Sequence, residues 1–124
     1  MLVLSQILRA AAEEHVAVIA YCFMPDHVHL LIEGRAASSD CRRFIARAKQ
    51  FSAFHYARTF GGRLWQRYGF ERTLRDDERT TVVARYILEN PVRAGLARTP
   101  EAYPYLGSKV YPIEILLDRG SAAG

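Results

Sequence analysis

The stretch Met24-Pro25-Asp26-His27-Val28-His29-Leu30-Leu31-Ile32 joins two runs rich in β-forming residues, Val16 to Phe23 and His27 to Glu33. Pro25-Asp26 between them reads as the turn of a β-hairpin, since proline presets φ and aspartate tolerates turn geometry. Side chains alternate faces along a strand. His27 and His29 therefore point one way, and Val28, Leu30 and Ile32 the other. Two imidazoles on one face are one way to hold a metal ion. The plainer reading is two partly exposed strand histidines with no ligand, and the rest of the chain has to decide between them.

Upstream, Leu4, Ile7, Leu8, Ala11 and Ala12 recur at three- and four-residue steps, which predicts a short amphipathic helix from Leu4 to Glu14. The first hairpin strand is apolar on both faces, as in a covered sheet. Downstream, Gly34 ends the second strand, and Ser39 and Asp40 are good N-caps for a helix running to about Thr59. Cys41, Phe44, Ile45, Ala48, Phe51, Ser52 and His55 form its apolar stripe, with His55 at the core edge. Arg42, Arg43, Arg47, Lys49 and Arg58 fall largely outside that stripe, with no carboxylate in the segment. Such a face is either ordinarily solvated or made for phosphate.

Gly61-Gly62 breaks the helix, and Leu64 to Arg75 reads as extended, aromatic and basic. Trp65, Tyr68 and Phe70 suit either a core or platforms for unpaired bases, with Arg67, Arg72 and Arg75 on the backbone. Asp76-Asp77 is expected to cap a helix that Val82, Val83, Ala84, Tyr86 and Ile87 carry to Asn90, where Pro91 stops it. Tyr86 and Asn90 are four residues apart, so phenol and carboxamide lie one turn apart on one face. The Pro/Tyr loop from Thr99 to Ser108 is expected to pack back on the domain. Val110 to Leu117 reads as a strand or a helical turn, and 118–124 as a frayed tail.

The length of 124 residues predicts a single domain over 1–124. Half the residues are hydrophobic and 24% charged, the balance of a globular chain rather than a disordered one. Lys and Arg outnumber Asp and Glu by 17 to 13, a mild bias toward a polyanion. Cys22 and Cys41 lack metal spacing and read as thiols rather than a disulfide. With no leader pattern and no run of membrane-spanning length, the chain is expected in the cytoplasm, away from the membrane.

Two imidazoles and an amide oxygen make a neutral three-ligand set that leaves positions on a divalent cation for water and phosphate oxygens. A tyrosine beside such an ion is a suitable nucleophile toward a phosphodiester, because a phosphotyrosine conserves the ester for a later rejoining step.

Four blocks, Met24 to Ile32, Leu64-Trp65-Gln66, Tyr86 to Leu96, and Tyr103-Pro104, resemble in order and spacing those of the REP-associated tyrosine transposases. These are HUH single-strand nucleases similar to small insertion-sequence transposases. The resemblance implies an α+β, ferredoxin-like antiparallel sheet with helices packed on it. It implies that His27 and His29 bind Mg²⁺ or Mn²⁺ with Asn90 as third ligand, and that Tyr86 is the nucleophile forming a 5′-phosphotyrosine. The implied partner is single-stranded or hairpin DNA of REP-like palindromes, with Arg42, Arg43, Arg47, Arg67 and Arg93 as candidate contacts.

The family pattern has a strand before the first helix, and Met1 to Leu4 is too short to supply it. The expectation is therefore a sheet lacking the family's N-terminal strand, through a misassigned or truncated start, replacement by a segment such as Val110 to Leu117, or pairing with a second copy as a homodimer. Two alternatives to the transposase activity stand beside it: a truncated or domesticated hairpin-DNA-binding module without cleavage, and a small hydrolase that uses the histidines with water as nucleophile.

Overall fold

Pro25 and Asp26 connect β1 (Val16–Phe23) to β2 (His27–Gly34), and across the turn the Met24 N–H donates to the His27 carbonyl at 2.7 Å. The hairpin lies where the sequence placed it. The computed structural model describes residues 1–74 and 80–118, with only the backbone course at Gln66, Arg67 and 71–74. The cap expected at Asp76-Asp77 and the tail after Asp118 lie outside the described residues.

β1 and β2 form the middle of a four-stranded sheet of order β3-β2-β1-β4, with β3 at Gly69–Leu74 and β4 at Leu106–Gly107. The fold is α+β with helices packed on that sheet. β4 runs antiparallel to β1, Tyr21 opposite Gly107 and Cys22 opposite Leu106. Flanking bonds from the Phe23 N–H to the Tyr105 carbonyl (2.8 Å) and from the Lys109 N–H to the Val18 carbonyl (3.1 Å) lengthen this edge pairing. The Tyr103 hydroxyl adds a further bond to the Phe23 carbonyl at 2.5 Å. The neighbour of β1 is thus the segment 105–109. Val110 to Leu117, considered from sequence as a replacement strand, instead holds the helical turn α6 (Ile113–Leu116).

Contacts group the chain into two compact units. The first comprises Met1–Ala17 and Glu33–Phe70, with α1 (Leu2–Glu13), α2 (Cys41–Phe60) and α3 (Leu64–Arg67). α1 buries Ile7, Ala10 and Ala11 and packs along α2, whose buried residues Phe44, Ala48 and Ser52 repeat every four positions. His15 ends the first helix in the left-handed region at φ 53°, and its carbonyl accepts from the Arg35 N–H (2.8 Å) and the Ser39 hydroxyl (2.7 Å). Asp40 caps α2 by accepting from the Arg43 N–H at 3.0 Å, and Gly61 at φ 76° lets the chain leave it. Leu64–Arg67 is a helical turn rather than the start of an extended run, and the strand begins at Gly69.

The second unit comprises Val18–Ile32 and Glu71–Gly124. Besides the strand segments it holds α4 (Thr80–Leu88), α5 (Asn90–Arg93), a 3-10 turn at Pro100–Ala102, and α6. Ala20, Cys22 and Leu31 of the sheet share one core with Ala84, Ile87 and Leu88 of α4 and Leu116 and Leu117 at the end of α6. α4 ends at Leu88, two residues earlier than expected. Pro91 has no N–H to continue the ladder, yet it fits the first turn of α5, where that donor would be unused.

Gly107 is opposite Tyr21 because nothing larger fits: a Cβ there would stand 2.7 Å from the Tyr21 Oη and 2.9 Å from its Cζ. Gly107→Ala is expected to cost about 1–3 kcal/mol, as overpacking does, measured as a lower urea midpoint. An unchanged midpoint would mean that the Tyr21 ring swings clear and that the β1–β4 edge is not set by this contact.

Candidate active site

The period of β2 builds the first half of the site. His27 and His29 are half-buried, and Leu31, next on the same face, is fully buried in the core that α4 completes with Ala84, Ile87 and Leu88. The imidazoles therefore stand on the sheet face that α4 covers. Asp26, at the turn, places its Oδ1 2.8 Å from His27 Nδ1. That hydrogen bond holds the Asp26 carboxyl below its ordinary range. With Nδ1 donating to the carboxylate, the lone pair of Nε2 is the one left for an ion, the usual orienting partner of a metal-ligating histidine. Sequence inspection passed over Asp26 as a turn residue, although a carboxylate directly before a candidate ligand was the available signal.

The second half lies on α4 and α5. Tyr86 is 59% exposed. At about 100° per residue it sits on the opposite side of α4 from the Ala84 and Leu88 that face the core. The Arg93 guanidinium lies over its ring, Cζ 3.8 Å from the centroid. Arg93 Nη2 also donates to the Tyr86 carbonyl at 2.6 Å and to Asn90 Oδ1 at 2.8 Å. One guanidinium thus ties the phenol, the carboxamide and the α4–α5 junction together, beside a shallow cleft of about 210 Å³ lined by Val82, Arg85 and Glu89 as well. Tyr86 and Asn90 are joined through Arg93, although α4 ends between them at Leu88. The phenol makes its ring contact with Arg93 and none with either imidazole among the described residues.

The chemistry of the donors bears on metal binding. The histidine pair with Asp26 behind it fits an ion that takes two nitrogens and completes its shell with water or phosphate oxygens. Asn90 Oδ1 is turned to Arg93 in this arrangement. Among the described residues no group of three or more His, Cys, Asp or Glu side chains is placed to hold a metal. Cys22 and Cys41 form no disulfide, and burial pushes the Cys22 thiol up to about 12 against the opposing pull of the Arg93 charge, which makes it a core residue rather than a nucleophile.

The candidate DNA-contacting arginines divide. Arg42 is exposed and in no ion pair among the described residues. Arg47 Nε lies 3.3 Å from Glu14 Oε2, and weaker contacts at 3.9 Å join Arg47 to Glu13 and Arg43 to Glu14. The Glu14 side chain is only 9% exposed, and a buried carboxylate holds its partners in place. Those carboxylates come from the C-terminal end of α1, so a count along α2 alone could not find them. Arg67 lies in α3 with its side chain outside the description, and Arg93 is engaged as above.

Residues 3–90 match the family model described as "Transposase IS200 like", a span that includes both histidines and Tyr86 and ends on Asn90. A "Putative REP-associated tyrosine transposase" of Haemophilus influenzae is 26% identical over 119 aligned positions, which cover 76% of this chain and 63% of that protein. The chain therefore spans less than two thirds of that relative's length. No solved structure matches.

Arg93→Ala removes a ring contact and two hydrogen bonds, and is expected to lower stability by about 1–2 kcal/mol, with Arg93→Lys intermediate, in chemical denaturation. Equal stability of all three proteins would show that the clamp carries no net energy. In native protein at pH 8, a thiol reagent is expected to modify Cys41 and spare Cys22; rapid modification of both would contradict the burial of Cys22.

Proposed function

Because the chain belongs to the IS200-like transposase family, we propose that it cleaves and rejoins single-stranded or hairpin DNA through a covalent bond to Tyr86. The observation that carries this is the common sheet face: alternation along β2 puts His27 and His29 beside Leu31, and Leu31 packs against the helix that bears Tyr86. A divalent ion, Mg²⁺ or Mn²⁺, held by His27 and His29 with Asn90 as third ligand once its oxygen leaves Arg93, would supply Lewis acidity at the scissile phosphate.

The chain's own residues do the rest. Asp26 fixes the tautomer and orientation of His27. Tyr86, exposed on α4, offers its phenol oxygen to a phosphodiester without having to be uncovered. As the oxygen attacks phosphorus, the phenol proton goes to solvent, the bond to the 3′-oxygen breaks, and that oxygen takes up a proton as a free 3′-hydroxyl. The 5′-phosphotyrosine keeps the ester, so attack by a 3′-hydroxyl rejoins a strand and returns the phenol without a nucleotide cofactor. REP-like palindromes are the proposed substrate, read as hairpin and unpaired bases rather than through a duplex groove.

The outward placement of Tyr86 sets a requirement. The phenol reaches the imidazoles either by rearrangement of α4 and α5 or from a second copy of the chain.

Incubation with labelled hairpin oligonucleotides and Mn²⁺ is expected to give a protein–DNA adduct stable on a denaturing gel, absent with Tyr86→Phe, His27→Ala or EDTA. Mixing the two variants restores adduct if two copies share a site and leaves it absent if α4 moves within one copy. Turnover that survives Tyr86→Phe would point to water as nucleophile. Hairpin binding with no adduct under either metal would reduce the protein to a binder.

A further inference from the structure

In the unit formed by α1, α2 and α3, an open pocket of about 550 Å³ lies where the C-terminal half of α2 meets α3. Phe54 and Ala57 line it from α2, Gly62 and Arg63 from the connection, and Leu64 and Trp65 from α3. Its volume is within the range of about 300–1,000 Å³ common for small-ligand sites. The active-site residues described above do not line it.

Trp65 is held as a rigid wall. Its indole N–H donates to the Ser52 hydroxyl at 3.0 Å and the Lys49 carbonyl at 3.1 Å, and Ser52 is itself buried. Phe70 braces the indole edge-on at 5.2 Å between centroids. Phe54, by contrast, is 56% exposed, with the Arg58 guanidinium 5.5 Å from its ring centroid. Arg58 and Arg63 are both exposed, and neither is in an ion pair among the described residues, unlike Arg43 and Arg47. A fixed aromatic wall, an exposed second ring and two cations in no ion pair among the described residues are the elements of single-strand recognition. An apolar peptide would leave both guanidinium groups without a counter-charge. A duplex would not offer the face of a base.

We propose that this pocket takes one unpaired base of single-stranded DNA, stacked on Trp65 or Phe54, with the neighbouring phosphates on Arg58 and Arg63. The proposal rests on the reading of the chain as a DNA strand transferase and adds to it a base-binding site built from α2 and α3. Stacking is indifferent to base identity, since every base has a π-face, so the pocket would grip the strand more than it reads sequence.

Trp65 is the chain's only tryptophan, so its emission reports on the pocket directly. The protein in EDTA is titrated with an unstructured oligonucleotide of about ten nucleotides, within the site sizes of single-strand binders. Saturable quenching is expected, and none with the same sequence as a blunt duplex. Phe54→Ala is expected to weaken binding about tenfold. Arg63→Gln is expected to lower the slope of log affinity against log salt by about one. Both substituted side chains are exposed, and unchanged melting curves would verify folding. If anisotropy shows binding and adduct still forms, but Trp65 emission and the Phe54→Ala affinity do not change, the pocket proposal falls and the transferase reading stands. If neither binding nor adduct occurs, both fall. Quenching that depends on protein concentration without DNA would assign the pocket to a second copy and overturn the proposal.

Discussion

Alternation along one strand is the constraint on which the candidate site depends. β2 has no freedom to turn His27 and His29 separately from Leu31, because a one-residue slip would exchange every side chain between the faces. Leu31 is fully buried in the core with Ala84, Ile87 and Leu88, so burial of an apolar side chain fixes where the two imidazoles stand. A packing term of about 1.5–3 kcal/mol for a buried leucine thereby enforces the geometry of two polar groups that contribute little to the core. The same helix that covers the face carries Tyr86, the proposed nucleophile, and so links it to the imidazoles through the core rather than through direct contact.

The arginines illustrate how a basic composition is divided between structure and function. Arg43 and Arg47 meet carboxylates at the C-terminal end of α1, the nearly buried one being Glu14 just past it, and Arg93 spans Tyr86 and Asn90. These cations are held in place, and a polyanion would have to compete with their partners. Arg42, Arg58 and Arg63 face solvent in no ion pair among the described residues, and counterion release on binding DNA would come from such groups. The clamp at Arg93 also occupies Asn90 Oδ1, which the proposed role as an oxygen ligand would require it to leave.

Local signals were the legible ones. Pro25-Asp26 announced the hairpin, Asp40 the start of α2, and Gly61 its end, because each acts on its immediate neighbours. The common side of the histidine pair was readable from the strand period, whereas the end of α4 at Leu88, between Tyr86 and Asn90, was not readable from the helical one. Long-range pairings left no such trace. β4 has two residues inside a Pro/Tyr loop with no alternation to mark it, and the close approach of Tyr21 to Gly107 on which it pairs is visible only in the fold. The helical turn at Leu64–Arg67 looked extended because Trp65 and the nearby Tyr68 and Phe70 favour strands, whereas tertiary bonds from the Trp65 indole to α2 decide the matter. The engagement of Glu14 with Arg47, and of Arg93 with Tyr86, required the fold before either could be seen.

Titration of the protein with Mn²⁺, observed through the imidazole resonances, tests most directly that β2 presents a metal-binding face. Paramagnetic broadening should appear first and together at His27 and His29, spare His15 and His55, and be lost from the His27 ring in His29→Ala. Broadening spread evenly over all four histidines, or none at the pair, would contradict the assignment of this strand face as the metal site.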